Sequence, residues 1–195
     1  PYAASKASAD MLARAWHKTF NLPVIITNCS NNYGPYQFPE KFIPLIIFNA
    51  LNNISIPIYG NGLQIRDWLY VKDHCLAIMR ILDHGKIGET YNIGGKCEIT
   101  NLDLVNKICE ILDKKIPCKH HASYKNLISF VKDRPGHDIR YSINSSKIEN
   151  DIKWKPIETF ETGLDKTVNW YLDNIEWLQS ASTPEYKKWV KRNYK

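Results

Sequence analysis

Long hydrophobic runs, paired cysteines and a glycine-rich phosphate loop are all missing from this chain. No stretch approaches the ~18 consecutive apolar residues of a membrane span, and no charged segment leads into an apolar export core. A cytoplasmic protein with no membrane partner is expected. The five cysteines are Cys29, Cys75, Cys97, Cys109 and Cys118. Their number is odd and none is spaced C-x-x-C, which argues against a disulfide framework and a zinc site and fits a reducing compartment. His120 and His121 are adjacent, so in a strand they would point to opposite faces and could not share a metal; no metal is assigned. The nine glycines nowhere form G-x-G-x-x-G or a P-loop. The chain also opens on Pro1-Tyr2 without an initiator methionine, and it reads as a fragment whose dinucleotide loop, if it has one, lies upstream.

What is present is a globular composition. Of 195 residues, 44% are hydrophobic and 24% charged, enough for a sizeable core in one or two domains. The formal net charge is +6, yet the basic residues are scattered except near the end, at Lys187-Lys188, Lys191-Arg192 and Lys195. Aromatic residues do not interleave with them and no nucleic-acid motif is present, so a small phosphorylated ligand fits better than nucleic acid.

Periodicity gives an alternation of helices and short apolar strands. Residues 2 to about 20 are Ala-rich without Gly or Pro and read as a helix. After the breaker Asn21-Leu22-Pro23, Val24 to Cys29 reads as a buried parallel strand, and the polar cluster Ser30 to Tyr36 follows as a turn. An amphipathic helix is expected from Ile43 to Leu51. Strands are expected at Ile56 to Tyr59, Ile65 to Val71 and Thr90 to Gly95. A helix over 73–84 should turn Leu76, Ala77, Met79 and Ile81 mostly inward, with Cys75 also in the core. Asn101 suits the N-cap of a helix over 102–114, striped by Leu102, Val105, Ile108 and Leu112. Ser145 to Asn150 reads as a short helix, Trp154-Lys155-Pro156 as a turn, 159–178 as one long helix carrying Phe160, Leu164, Val168, Tyr171 and Ile175, and 184–192 as a last helix.

Three places carry chemistry. Tyr2 and Lys6 fall one turn apart on one helix face, and an ammonium beside a phenol favours the phenolate, making Tyr2 a candidate base. Taken alone, such a pair also recurs on ordinary helix surfaces. The amides after the Val24 to Cys29 strand sit where open α/β sheets bind ligands, although the same residues make good turns. Asp133-Arg134-Pro135-Gly136-His137-Asp138 combines a guanidinium suited to bidentate phosphate contact with a histidine that titrates near neutrality; as a surface loop with a salt bridge it would be unremarkable.

Together the motifs carry a resemblance. Tyr2-Ala3-Ala4-Ser5-Lys6 resembles the Tyr-x-x-x-Lys of short-chain dehydrogenases/reductases. Asn28 to Pro35, Arg66-Asp67-Trp68 with Val71, Asp133 to Asp138, and Trp154-Lys155-Pro156 leading into Thr159-Phe160-Glu161 resemble, over essentially the whole chain, the carboxyl-terminal part of the dTDP-glucose 4,6-dehydratases, an extended branch of that superfamily. The resemblance implies an α/β fold: the remainder of a Rossmann-type doubly wound parallel sheet plus a smaller α/β substrate-binding domain. Residues 1–30 would be the remnant of the NAD-binding domain and 31–195 mainly the nucleotide-sugar domain, with about 63–90 packing back on the first.

By the same resemblance, Tyr2 is the base at the sugar C4 hydroxyl, and Lys6 holds the nicotinamide ribose and tunes Tyr2. Asn32 contacts the dinucleotide with Tyr2 and Lys6. Asn31, Lys41, Phe42, Pro57, Tyr59, Arg66, Asn101, Asp133, Arg134, Pro135, Gly136, His137 and Tyr194 contact the nucleotide sugar, with Arg66 and Arg134 nearest the diphosphate. The implied cofactor is NAD, the substrate dTDP-glucose and the full-length assembly a homodimer. The implied reaction oxidises C4, eliminates water across C5 and C6 and returns hydride to C6. The Thr and the Asp-Glu pair that eliminate water in the family cannot be located here, so this stretch alone is expected to be inactive. Alternatives are another nucleotide-sugar epimerase, decarboxylase or dehydratase, or a catalytically silent nucleotide-sugar-binding module.

Overall fold

A computed structural model describes residues 1–181 and 188. Helix α1 (Tyr2–Phe20) ends at Asn21 in the left-handed conformation. Strand β1 (Ile26–Cys29) follows and pairs in parallel with β5 (Thr90–Ile93), Ile26 opposite Thr90 and Cys29 opposite Ile93. Although α1 buries none of its residues, it is fastened to this pair: Arg14 Nη2 donates to Thr90 Oγ1 at 2.6 Å.

The turn expected over Ser30 to Tyr36 begins instead as strand β2 (Asn31–Tyr33). Asn and Gly make it look like a loop, but pairing with a distant strand supplies its hydrogen bonds. That strand is β4 (Ile65–Tyr70), which lies parallel to β2 with Asn31 opposite Trp68 and antiparallel to β6 (Glu98–Thr100). β8 (Arg140–Tyr141) also runs along β4. A third pair joins β3 (Ile56–Tyr59) to β7 (Ile128–Val131) in parallel. The fold is thus α/β with parallel strands.

Helix α2 (Phe42–Leu51) is not amphipathic as expected: every residue from Ile43 to Ala50 is buried. An all-round apolar helix belongs in a core, and α2 packs there with α4 (Asn101–Lys115) and α6 (Phe160–Asp173). Helix α3 (Val71–His84) buries Asp73, Ala77 and Ile81, one residue per turn. Leu76 and Met79 face outward, as does Cys75, contrary to expectation; they lie on the helix faces away from that stripe. The N-cap of α4 is Thr100, whose hydroxyl accepts from the Asp103 N–H, and Asn101 is the first helical residue. Helix α5 is Ser146–Ile152. The long helix expected over 159–178 breaks at Asn174 into α6 and α7 (Ile175–Ser180), and Ile175 is 37% exposed rather than inward. His120 and His121 lie on exposed bends. The helix expected over 184–192, apart from Lys188, lies outside the described residues.

Two cores result. The larger gathers α2, β3, α4 and α6 around Ile46, Ile58, Val105 and Val168; the smaller gathers Leu69, Ala77, Ile81, Tyr91, Ile93, Ile148, Ile152 and Trp154. Strand β4 belongs to both, with Leu69 in the smaller core and Trp68 and Tyr70 in the larger. Among the described residues no helix is long and apolar enough to cross a membrane.

Candidate active site

The carboxyl end of β1, strand β2 and one face of β4 meet beneath the start of α1. A buried carboxylate holds this junction. Asp67 Oδ2 accepts from the Gly95 N–H at 3.2 Å and Oδ1 from the Cys97 N–H at 2.8 Å, while Ser30 Oγ accepts from the same Gly95 N–H at 3.3 Å. Burial raises Asp67 above its ordinary value, and these hydrogen bonds partly offset it. The turn after β5 is thereby tied to the residue preceding Asn31 and Asn32.

Two cavities adjoin this junction. One, of about 290 Å³, is lined by Tyr2, Cys29, Ser30, Asn31, Arg66, Arg134, Asp138 and Tyr141. The other, of about 170 Å³, is lined by Asn31, Phe42, Tyr59, Arg66, Trp68, Asn101, Arg134 and His137. Asn31, Arg66 and Arg134 are common to both, so the two cavities share a wall bearing two guanidinium groups. Arg66 is 8% exposed. Its Nη1 donates to the Ile65 carbonyl at 2.7 Å and its Nη2 to the Asp138 carbonyl at 2.9 Å. Burial first, then the neighbouring Arg134, hold it below the usual arginine value. The Asp138 carboxylate opposes this in part, and among the described residues Arg66 makes no ion pair, which suits a group that meets an anionic ligand.

The 133–138 loop is folded around Asp133. Its Oδ1 accepts from the Arg134 N–H at 2.8 Å and lies 2.7 Å from His137 Nδ1, while its Oδ2 accepts from Gln64 Nε2 at 2.9 Å. The His137 side chain is 95% buried as a result, counting from its 5% exposure, and it stands edge-on to Tyr59 at 6.1 Å. His137, through that hydrogen bond, holds Asp133 below the usual carboxylate range.

The remaining expected residues are placed as follows. Tyr2, 78% exposed, lines the first cavity, and Lys6 is exposed one turn further along α1. Asn32 Nδ2 donates to Cys29 Sγ at 3.2 Å and to the Ser30 carbonyl at 3.0 Å, and its buried Oδ1 has no partner among the described residues. Burial pushes the Cys29 thiol up, opposed by the Asn32 amide. Phe42, Tyr59 and Asn101 line the second cavity. Pro57 is buried in β3, and Lys41 sits outside both cavities with Nζ 2.8 Å from Glu40 Oε1. Asp133, Pro135 and Gly136 shape the loop without lining either cavity. Tyr194 lies outside the described residues. Sequence reasoning did not single out Cys29, Ser30, Trp68, Asp138 or Tyr141 as lining residues; all but Tyr141 fell within the quoted motifs, where strand alternation from Arg66 to Trp68 was the available signal.

The relatives of the chain are consistent. It is 56% identical over 194 residues to the dTDP-glucose 4,6-dehydratase of Salmonella typhimurium, matching 100% of this chain and 53% of that one. The crystal structure of dTDP-glucose 4,6-dehydratase from Bacillus anthracis in complex with NAD superposes with a TM-score of 0.84 at 52% identity, over 93% of this chain and 55% of that one. The UDP-glucuronic acid 4-epimerase of Bacillus cereus, in complex with UDP-glucuronic acid and NAD, superposes with a TM-score of 0.77 at 29% identity, over 89% and 52%. The chain spans about half the length of the curated relatives it matches. Residues 1–167, most of the chain and all of the junction just described, match the model of the GDP-mannose 4,6 dehydratase family, and to that family the protein belongs.

Proposed function

We propose that this chain forms the nucleotide-sugar side, and the first catalytic pair, of a dTDP-glucose 4,6-dehydratase that converts dTDP-glucose to dTDP-4-keto-6-deoxyglucose. The observation that carries the reading is the shared wall: Arg66 and Arg134 stand in the same cavity as Tyr2, so a diphosphate held by the guanidiniums leaves its sugar within the cavity that Tyr2 lines. In this reading Tyr2 takes the proton of the C4 hydroxyl, and Lys6 holds the nicotinamide ribose. Asn31 and Asn101 orient the nucleotide sugar from the cavity walls, with Phe42, Tyr59 and the 133–137 loop completing its site. Lys41, Pro57 and Tyr194 are assigned to that site on the family resemblance.

The chain's residues also fit part of NAD. Asn32 Oδ1, without a partner among the described residues, is an acceptor of the kind a carboxamide N–H₂ needs, and Tyr2 and Lys6 on α1 are assigned as ribose contacts on the family resemblance. NAD, when bound, accepts hydride from C4 and returns it at C6. The pyrophosphate loop and the groups that remove water across C5 and C6 are assigned to the remainder of the full-length protein. The smaller core around β1 and β5 reads as the edge of the NAD-binding domain, residues 1–30 with about 63–90 packed on it, and residues 31–195 as mainly the sugar domain. The uncovered apolar side chains of α1, Met11, Leu12, Trp16 and Phe20, support an assembled, dimeric enzyme.

A second reading, a nucleotide-sugar 4-epimerase, draws on the Bacillus cereus likeness. Incubating the full-length enzyme with dTDP-glucose and NAD separates them: the dehydratase yields a 4-keto-6-deoxy product, whereas inversion at C4 without loss of water would overturn the proposal.

A further inference from the structure

Gln64 lines neither cavity, yet it is tied to two walls of the second. It directly precedes β4 and is 8% exposed. Its Nε2 donates to Asp133 Oδ2 at 2.9 Å, while its backbone carbonyl accepts from the Asn101 N–H at 3.0 Å. Arg134, the residue after Asp133, and Asn101 both line that cavity. One buried residue thus joins the loop bearing a guanidinium to the start of α4.

Three consecutive residues at the start of β4 hold the 133–138 loop. The Ile65 N–H donates to the Ile139 carbonyl at 2.8 Å, and Arg66 Nη2 donates to the Asp138 carbonyl at 2.9 Å, so the far end of the loop is fixed by these two. At the near end, the last strand contact is the Gly60 N–H on the Val131 carbonyl at 2.9 Å. Between Val131 and Asp138, the hydrogen bond that fixes the loop to the strands, among the described residues, is the one from Gln64. The contacts of Asp133 Oδ1 with the Arg134 N–H and His137 lie within the loop; they shape it but do not aim it. The seat is close: a Cβ added to Gly60 would stand 2.9 Å from Asp133 Oδ2. An ionised carboxylate accepts only, so it must be met by a donor, which the amide N–H₂ supplies.

We infer that Gln64 is a positioning residue whose amide holds the loop at Asp133 so that the Arg134 guanidinium meets the diphosphate of the bound nucleotide sugar. This rests on the nucleotide-sugar reading above and adds to it the group that aims one of its two cations. Gln64 itself does not touch the ligand.

The test titrates the full-length enzyme with dTDP in calorimetry, as parent, Gln64→Met, Arg134→Ala and the double variant. Methionine keeps the length of the side chain and removes the donor. Gln64→Met should weaken dTDP by about 3- to 30-fold, within the range of couplings inside one hydrogen-bonded network. In the Arg134→Ala background the same substitution should change affinity by less than about twofold, because its effect runs through that guanidinium. A purely structural role would weaken dTDP equally in both backgrounds. Gln64→Glu adds a pH signature. It sets a second carboxylate against Asp133, and protonation of the pair relieves the repulsion and restores an O–H donor. The affinity of this variant, divided by that of the parent at each pH, should therefore recover as pH falls. Parental affinity in Gln64→Met, an equal loss with and without Arg134, or a pH-independent ratio for Gln64→Glu overturns the inference. Failure of the parent to bind dTDP would instead overturn the nucleotide-sugar reading itself. A crystal structure of the parent with dTDP needs no folded variant: Gln64 Nε2 out of reach of Asp133, or Arg134 turned from the diphosphate, overturns the inference as well.

Discussion

Gly95→Ala would probe how closely the end of β5 is held against β4. Gly95 does not use left-handed backbone, so alanine's conformational preferences are not at issue and only space remains. An added Cβ would stand 1.8 Å from the Trp68 carbonyl oxygen, 2.6 Å from its carbonyl carbon and 3.0 Å from Leu69 Cα. All three are backbone atoms of a strand with neighbours on both sides, and none can swing aside as a side chain would. Reaching an ordinary carbon–oxygen contact of about 3.3 Å requires a displacement of about 1.5 Å. That displacement would stretch the Gly95 N–H away from Asp67 and Ser30 and would strain the Trp68 N–H to Cys97 bond. Overpacking costs about 1–3 kcal/mol, and two weakened buried hydrogen bonds add about 1 kcal/mol each, giving a loss of about 3–5 kcal/mol. At about 2–4 °C per kcal/mol for a unit of this size, the thermal midpoint followed by circular dichroism should fall by about 6–20 °C. Gly136→Ala is the control. Nothing lies within 4 Å of its added Cβ, so only its φ of +66° matters, at about 1–2 kcal/mol. A Gly95→Ala protein melting within about 2 °C of the parent would refute the steric reasoning.

Further expectations concern the site. In the full-length enzyme, Arg66→Ala and Arg134→Ala should each weaken dTDP by about 10- to 150-fold in calorimetry, and lysine at either position should restore only part, lacking the planar fork. Tyr2→Phe should abolish reduction of bound NAD in stopped-flow absorbance while leaving dTDP affinity nearly unchanged, because the lost group acts in the transition state. Asp67→Asn must turn its amide N–H₂ toward either Gly95 or Cys97, both donors, and should cost about 1–3 kcal/mol in urea denaturation near neutral pH. The pH dependence has a definite sign. Burial raises Asp67 above 3.8, so the folded protein holds that proton more tightly than the unfolded chain. The stabilisation from this group is present at low pH and is lost as pH rises through its folded value. Subtracting the Asp67→Asn stability curve from the parental curve should reveal that falling limb.

Strongly periodic segments were legible in the residues. The stripe of α4 is buried at Val105, Ile108 and Leu112 as its spacing implies, and Phe160, Leu164, Val168 and Tyr171 all point inward from α6. The misreadings share a cause. β2 is made of turn-forming residues and exists through its pairing with β4, 37 positions away at Asn31 and Trp68. The face of α3 that turns inward is chosen by packing against β4 and α5, not by the apolar residues Leu76 and Met79, which periodicity alone cannot rank against Ala77 and Ile81. In the site, the motifs pointed to Arg66, Arg134 and His137. The buried atoms of Asn32 and Trp68 that find no partner among the described residues could not be foreseen, because an orphan is defined by what fails to reach it in three dimensions.

The dual membership of β4 bears on how such a cleft can move. A protein whose two cores meet only through a linker can swing them like a hinge and close over its cargo. Here one strand contributes Leu69 to one core and Trp68 and Tyr70 to the other, with Arg66 on the same continuous rod. Rotation of either core about the residue 30–31 junction would have to twist that rod and disrupt both interiors. The strand carrying Arg66 is therefore held by both interiors at once.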